Sequence, residues 1–193
     1  MRLLTYAVLV LLLIVPAVAR AATVKPVHVL YLQGQIDPAI ADYISDGIDN
    51  ARNEGAQAVL ILMDTPGGRI DSMERMIKAF FASKVPVIVY VYPNGALAAS
   101  AGALITIAAD VAAMSPATSI GASSPISIGP GGEVVKLDET LKRKVMNYTA
   151  EYAKSIAQRR GRNVKWAEAA VRQASTLTSG DALKQHVIDY VSE

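Results

Sequence analysis

Apolar positions along the chain fall into short runs whose period changes. Val27 to Leu32 alternates and is rich in β-branched residues, whereas Pro38 to Glu54 spaces Ile40, Ile44 and Ile48 four apart and stops at Gly55. This pattern predicts a strand followed by a helix. Ala58 to Met63 is a continuous apolar run suited to a strand buried on both faces. Asp64-Thr65-Pro66-Gly67-Gly68 separates it from a helix over Ile70 to Ser83. Val87 to Tyr92 repeats the strand pattern, the small-residue stretch Ala98 to Ala109 reads as a helix with Ser100 near its start, and Asp110 to Met114 is a further short strand. Strands alternating with helices predict an α/β fold with a mostly parallel sheet and right-handed crossovers.

Ser115 to Gly132 turns to Ser, Gly, Pro and Ile without helical period, the pattern of a long loop or a small hairpin. Asp138 to Arg160 is the longest predicted helix, with Leu141, Val145, Tyr148, Tyr152 and Ile156 as one apolar stripe. Lys165 to Ala174 reads as another helix, Ser179 to Leu183 begins a short one, and Val187 to Val191 is a last strand or the start of a linker.

The first residues follow a different rule. Arg2, the apolar run Leu3 to Val15 and the small-x-small Ala17-Val18-Ala19 predict a secretory signal over 1–19, with one folded domain over 20–193. The apolar run is short for a membrane span of about 20 residues. The expected location is therefore exported, periplasmic or otherwise extracytoplasmic, with association to a membrane left open. The 193-residue chain is 52% hydrophobic, enough for one core. Its 19 basic and 17 acidic residues form no long single-sign run, so no nucleic-acid footprint stands out. Cysteine is absent, which excludes disulfides and thiol catalysis. No His, Asp and Glu cluster has ligand spacing, so no metal or cofactor is expected.

The candidate chemistry begins at Ser100, one hydroxyl among very small residues after a buried strand. Small neighbours let a substrate backbone approach, and the first N–H groups of a helix favour developing negative charge. The competing interpretation is a serine N-cap on a buried helix. Gly67-Gly68 supplies a turn whose N–H groups can face a cleft. Neighbouring parallel strands end on the same side, which brings the turn after Met63 to the turn after Tyr92. The backbone N–H groups of Gly68 and Ala101 are then a candidate oxyanion pair. His28 lies inside the first strand and His186 beside the last, both more typical of structural or surface positions. A desolvated lysine is an alternative base. Lys136, Lys142 and Lys144 are the candidates, and periodicity alone leaves the choice open.

Met63-Asp64-Thr65-Pro66-Gly67-Gly68-Arg69, Val89-Tyr90-Val91-Tyr92-Pro93 with Gly95, Ala98-Ala99-Ser100-Ala101-Gly102, Met114-Ser115-Pro116 and Thr118-Ser119-Ile120-Gly121-Ala122 stand in one order. That order resembles the NfeD family of membrane-bound serine proteases, with a Clp-protease-like domain. The resemblance continues through Asn147-Tyr148, Lys154-Ser155-Ile156-Ala157 and Gly161-Arg162-Asn163, covering nearly all of the chain after the leader. It implies a Clp-protease/crotonase-like α/β fold, a serine endopeptidase with Ser100 as nucleophile, and Lys144, three residues before Asn147-Tyr148, as general base. It also places the oxyanion donors on Gly68, in the Gly67-Gly68 turn, and on Ala101. The implied substrates are apolar segments of stomatin-like membrane proteins, and the implied assembly is a homo-dimer or larger homo-oligomer.

Three departures qualify the likeness. Ala122 and Ser123 occupy the position where Clp proteases proper carry a histidine, which favours a Ser/Lys dyad. Leu97 stands where other members have a serine, and is expected with Ile126 to line an apolar cleft. Long members continue into membrane spans and a small β-barrel, whereas this sequence stops at Glu193. Two rival functions are a crotonase-like acyl-CoA enzyme, which explains the Gly-Gly turn but not the leader, and a non-catalytic module that binds a membrane partner.

Overall fold

Local sequence signals set most element ends. A computed structural model describes residues 24–127, 129, 133, 135–136 and 138–193, and the predicted leader lies outside them. Strand β1 (Val27–Gln33) leads into helix α1 (Pro38–Asn53). The Asp37 carboxylate accepts the Ile40 N–H at 2.8 Å, and Pro38 opens the helix without a missing donor. Then follow β2 (Ala58–Asp64), α2 (Ile70–Ala82), β3 (Val87–Val91), β4 (Leu97–Ala99), α3 (Ala101–Ala108), β5 (Val111–Met114) and β6 (Ser119–Gly121). The chain closes with α4 (Glu139–Arg159), α5 (Val164–Arg172), β7 (Thr176–Thr178), α6 (Ser179–Lys184) and β8 (Tyr190–Val191). Asp138, Asn163 and Thr178 cap α4, α5 and α6 through side-chain oxygens.

The main sheet runs β1-β2-β3-β5-β8, every pair parallel. Its register aligns Leu30, Ile61, Val89 and Ala112 in one buried row. The opposite face alternates with it, which is why Val27, Val29 and Tyr31 of β1 are exposed while Leu30 and Leu32 are buried. A smaller sheet orders β4-β6-β7, with β4 parallel and β7 antiparallel to β6. The two sheets meet at Thr65, which bridges Ala98 just past β2.

Four expectations are corrected here. The helix expected from Ala98 begins only at Ala101, because Leu97 to Ala99 pair with Ser119 to Gly121. Of the two forms expected for Ser115 to Gly132, a long loop or a small hairpin, the hairpin does not form among the described residues, since β6 pairs outward to β4 and β7. The last strand shrinks to Tyr190–Val191, because Val187 and Ile188 turn into the core. The expected stripe of α4 is only partly buried. Leu141 and Tyr148 are exposed, and the packed face is Thr149, Ala150, Ala153, Ile156 and Ala157. The helix thus extends its N-terminal half beyond the body it packs on.

Candidate active site

β3 ends at Val91, and the chain returns as β4 alongside the segment that follows β2. Thr65 N–H donates to the Leu97 carbonyl at 2.8 Å and Ala99 N–H to the Thr65 carbonyl at 3.1 Å. The Asp64 carboxylate accepts the Leu97 N–H at 2.9 Å. These bonds deliver Ser100 against the Gly67-Gly68 turn. Ser100 has φ 55° and ψ −120°, and its side chain makes no capping bond to α3. A non-glycine residue held there carries about 1–3 kcal/mol of strain. The N-cap interpretation therefore fails: the hydroxyl makes no bond to the helix it precedes and lies beside Gly67.

The turn is cut to fit that serine. Thr65 is fully buried, its hydroxyl donating to the Gly34 carbonyl at 2.7 Å and accepting the Gly67 N–H at 3.0 Å. Gly67 has φ +106°, and a Cβ there would lie 2.5 Å from the Ser100 Cβ. The Gly67 carbonyl then accepts the Ile36 N–H at 2.8 Å, and Arg69 N–H donates to the Ile36 carbonyl at 2.9 Å. Extended backbone alternates its polar groups between two edges. With its neighbours' groups spent on Ile36, the Gly68 N–H faces the other way, and Gly68 lines one cavity with Ser100 and Ala101. Among the described residues neither the Gly68 nor the Ala101 N–H has a hydrogen-bond partner.

Helix α3 adds its dipole. All eight of its residues are buried, and its N-terminus opens directly after Ser100. At the other end, Arg162, only 7% exposed, donates to the carbonyls of Ile107 and Ala109 and pairs with Asp189 at 2.8 Å. Arg160 donates to the Ala108 carbonyl at 2.7 Å.

Two spaces open from Ser100. A cavity of about 60 Å³ is lined by Ile70, Met73, Leu104, Ile126 and Thr149 beside the serine. A wider groove of about 960 Å³ runs along Gly67, Gly68, Arg69, Ile126 and Ser127. Arg69 and Asp71 pair on its wall, and that hydrogen bond holds the Asp71 carboxyl below its usual range. Ile126 lines both spaces while 68% exposed. Leu97 is exposed on β4 and lines neither.

The structure does not bring Lys144 to the serine. Lys144, Lys142 and Lys136 are exposed, and none lines either space. Lys144 sits five residues before Thr149, about 7.5 Å along the axis of α4. Between them two ties hold the helix. Asn147 accepts from Arg172 at 2.8 Å, and the Tyr148 hydroxyl donates to Glu74 at 2.7 Å. That bond to Glu74 raises the Tyr148 pKa above the phenol range, and burial pushes Tyr152, stacked on it, up to about 12. His28 pairs with Glu54 and His186 is exposed, both outside the site. Among the described residues no group of His, Asp and Glu is placed to hold a metal ion.

Sequence reasoning missed Thr65, Arg162 and the role of Ser123, whose hydroxyl donates to the Ser100 carbonyl. Arg162 and Ser123 act through partners far away in sequence, and Thr65 joins its own turn at Gly67 to the distant Gly34 carbonyl, so no local pattern marks these roles.

Comparison with known proteins adds independent findings. Residues 26–192 match the family model described as NfeD1b, N-terminal domain. The membrane-bound protease PH1510 of Pyrococcus horikoshii is 41% identical over 167 residues, 86% of this chain and 37% of that protein. This chain thus spans little more than a third of that relative's length. The 1510-N membrane-bound stomatin-specific protease, solved as a lysine-to-alanine variant with a substrate peptide, superposes with a TM-score of 0.81 at 39% identity, covering 89% of this chain and 77% of that one. Its serine-to-alanine variant gives the same TM-score and identity, covering 89% and 81%.

Proposed function

This chain belongs to the NfeD1b N-terminal-domain family, and from that membership and the serine geometry we propose that it is a Ser/Lys endopeptidase acting on apolar segments of stomatin-like membrane proteins. The observation that carries the reading is the strained, uncapped Ser100 in one cavity with the free N–H groups of Gly68 and Ala101. Its relatives named as membrane-bound and stomatin-specific proteases support the substrate class.

In this mechanism Lys144, as a neutral amine, takes the Ser100 proton while Oγ attacks the scissile carbonyl. The Gly68 and Ala101 N–H groups hold the resulting oxyanion, aided by the α3 dipole. The lysine ammonium returns the proton to the leaving amine as the C–N bond breaks. Water, deprotonated by the same lysine, then hydrolyses the acyl ester. Since Lys144 stands off the cavity, the exposed half of α4 moves toward Ser100 when peptide fills the groove. The outward edge of Gly68 offers strand pairing to an extended peptide. The small cavity with Ile70, Met73 and Leu104 accepts an apolar side chain next to the cut bond.

Residues 1–19 are proposed as an export signal, supported by Arg2, the apolar run after it and Ala17-Val18-Ala19. Among the described residues no helix is long and apolar enough to cross a membrane. Self-association is proposed on exposed apolar residues, Ile126 in the groove and Leu141 and Tyr148 on α4; light scattering of the purified chain reads it directly.

The test is cleavage of an apolar peptide from a stomatin-like protein across pH, with folded Ser100→Ala and Lys144→Ala beside the wild type. Cutting by the wild type that rises with pH, and its loss by at least about a thousandfold in both variants, is expected. Cleavage surviving Ser100→Ala overturns the mechanism.

A further inference from the structure

The oxyanion donor at Ala101 belongs to the peptide unit that joins it to Ser100, so whatever holds the Ser100 carbonyl also aims the Ala101 N–H. That carbonyl accepts two bonds, from the Ala103 N–H at 3.0 Å and from the Ser123 hydroxyl at 3.0 Å. The first comes with the helix. The second comes from a loop that no element of the main sheet requires.

Ser123 is 5% exposed and lines the cavity that contains Ser100. Its loop is pinned at three consecutive residues. Ala122 N–H donates to the Ser175 carbonyl at 3.0 Å, Ser123 N–H to the Ala170 carbonyl at 2.8 Å, and the Ser124 hydroxyl to the Val171 carbonyl at 2.6 Å. The hydroxyl is therefore held from the end of α5 and cannot follow a drifting Ser100. A rotation about the Ser100 ψ, the way a strained φ 55° residue relaxes, would swing its carbonyl off this fixed donor.

We propose that Ser123 is a positioning residue of the oxyanion hole, holding the Ser100–Ala101 peptide so that the Ala101 N–H points at the place where negative charge develops. The role rests on the protease reading above. In a trans peptide the carbonyl and N–H point in opposite directions, so fixing one fixes the other. A bond accepted at the carbonyl also polarises the peptide and strengthens its N–H as a donor. Both effects act on the charged transition state more than on bound peptide, whose strand pairing and side-chain burial lie elsewhere in the groove.

Two readouts on the full chain test this, one independent of cleavage. Ser100-Ala101 is the sole Ser-Ala dipeptide in the sequence. Labelling serine at the carbonyl carbon and alanine at nitrogen therefore isolates one NMR cross-peak, the Ala101 amide. In Ser123→Ala that peak shifts and broadens, while Ser123→Thr, which keeps the hydroxyl, returns it toward the wild-type position. In cleavage assays Ser123→Ala lowers kcat about tenfold, less than outright loss of a donor, and leaves KM within about twofold. A peptide boronate, which mimics the tetrahedral state, loses affinity by the same factor as kcat. An unmoved Ala101 peak with kcat unchanged in folded Ser123→Ala overturns the proposal, as does a loss confined to KM. If the peak responds as expected but the wild type cuts nothing, the positioning stands and the protease reading falls.

Discussion

The two halves of the candidate site are built to different standards. Around Ser100, the proposed nucleophile and both proposed oxyanion donors are fixed from several directions: Thr65 ties the Gly67 turn, Ile36 orients Gly68, and a wholly buried α3 stands behind Ala101. Lys144 sits on the exposed half of α4, held at its base by Asn147 to Arg172 and Tyr148 to Glu74. The difference follows from what each part must do. Stabilising a developing charge depends on dipoles that are already in place and need no reorganisation. A lysine serving as base must lose its proton, which desolvation on closure promotes. In the proposed mechanism charge stabilisation is thus stored in the fold, and proton transfer is assembled with substrate.

The largest effect expected from breaking the rigid half comes from Gly67→Ala. The new Cβ would press on Ser100 at 2.5 Å and the residue would keep a left-handed φ of +106°. Cleavage per folded molecule should fall by about two to three decades, comparable to removing an oxyanion donor, while circular dichroism stays native. Retained activity would show that the turn is not held against the serine. Arg162→Met attacks the same half from its far end. It strands the Ile107 and Ala109 carbonyls and leaves Asp189 without its partner, so chemical denaturation should show a loss of about 3 kcal/mol. Activity per folded molecule should change by less than about fivefold, because the oxyanion donors lie at the other end of α3. A collapse in kcat without a loss in stability would place Arg162 in the site.

The same contrast decides what the sequence made legible. β1, β2, β3, α1 and α2 follow from period and punctuation because each buries a face of its own sequence, and their ends fall within a residue or two of expectation. Ser100, Gly67, Gly68 and Ala101 meet because parallel strands end on one side, a rule that needs topology but no coordinates. Three-residue strands such as β4 and β7 were beyond that reading, since their pairing is long-range and too short to leave a period. The positive φ of Ser100 was equally hidden, as a serine before small residues also fits a cap. α4 misled for a different reason. Its stripe is real, but a stripe does not say how far the partner surface extends, so Leu141 and Tyr148 lie beyond it. Leu97, expected in the cleft, is exposed on β4 and lines neither space, and a three-residue strand gives no second position from which its face could be read.

The smallest predicted effect probes the looser half. Tyr148→Phe removes the tie to Glu74 and should lower kcat by about two- to threefold, the range for one exposed polar contact. The Ala101 cross-peak should stay unchanged, since the tie lies on α4 and α2 and touches neither oxyanion donor. The pH dependence gives the sharper criterion. The bond to Glu74, and secondarily burial, raise the folded-state pKa of Tyr148. The tie is therefore fully present below the unfolded phenol value and is lost as pH rises through the higher folded one. Above it the phenolate faces the Glu74 carboxylate, and wild type and Tyr148→Phe should converge in kcat. A ratio between the two that stays constant through the phenol range would mean that Tyr148 acts by packing on Tyr152, leaving Asn147 as the tie that holds the base end of α4.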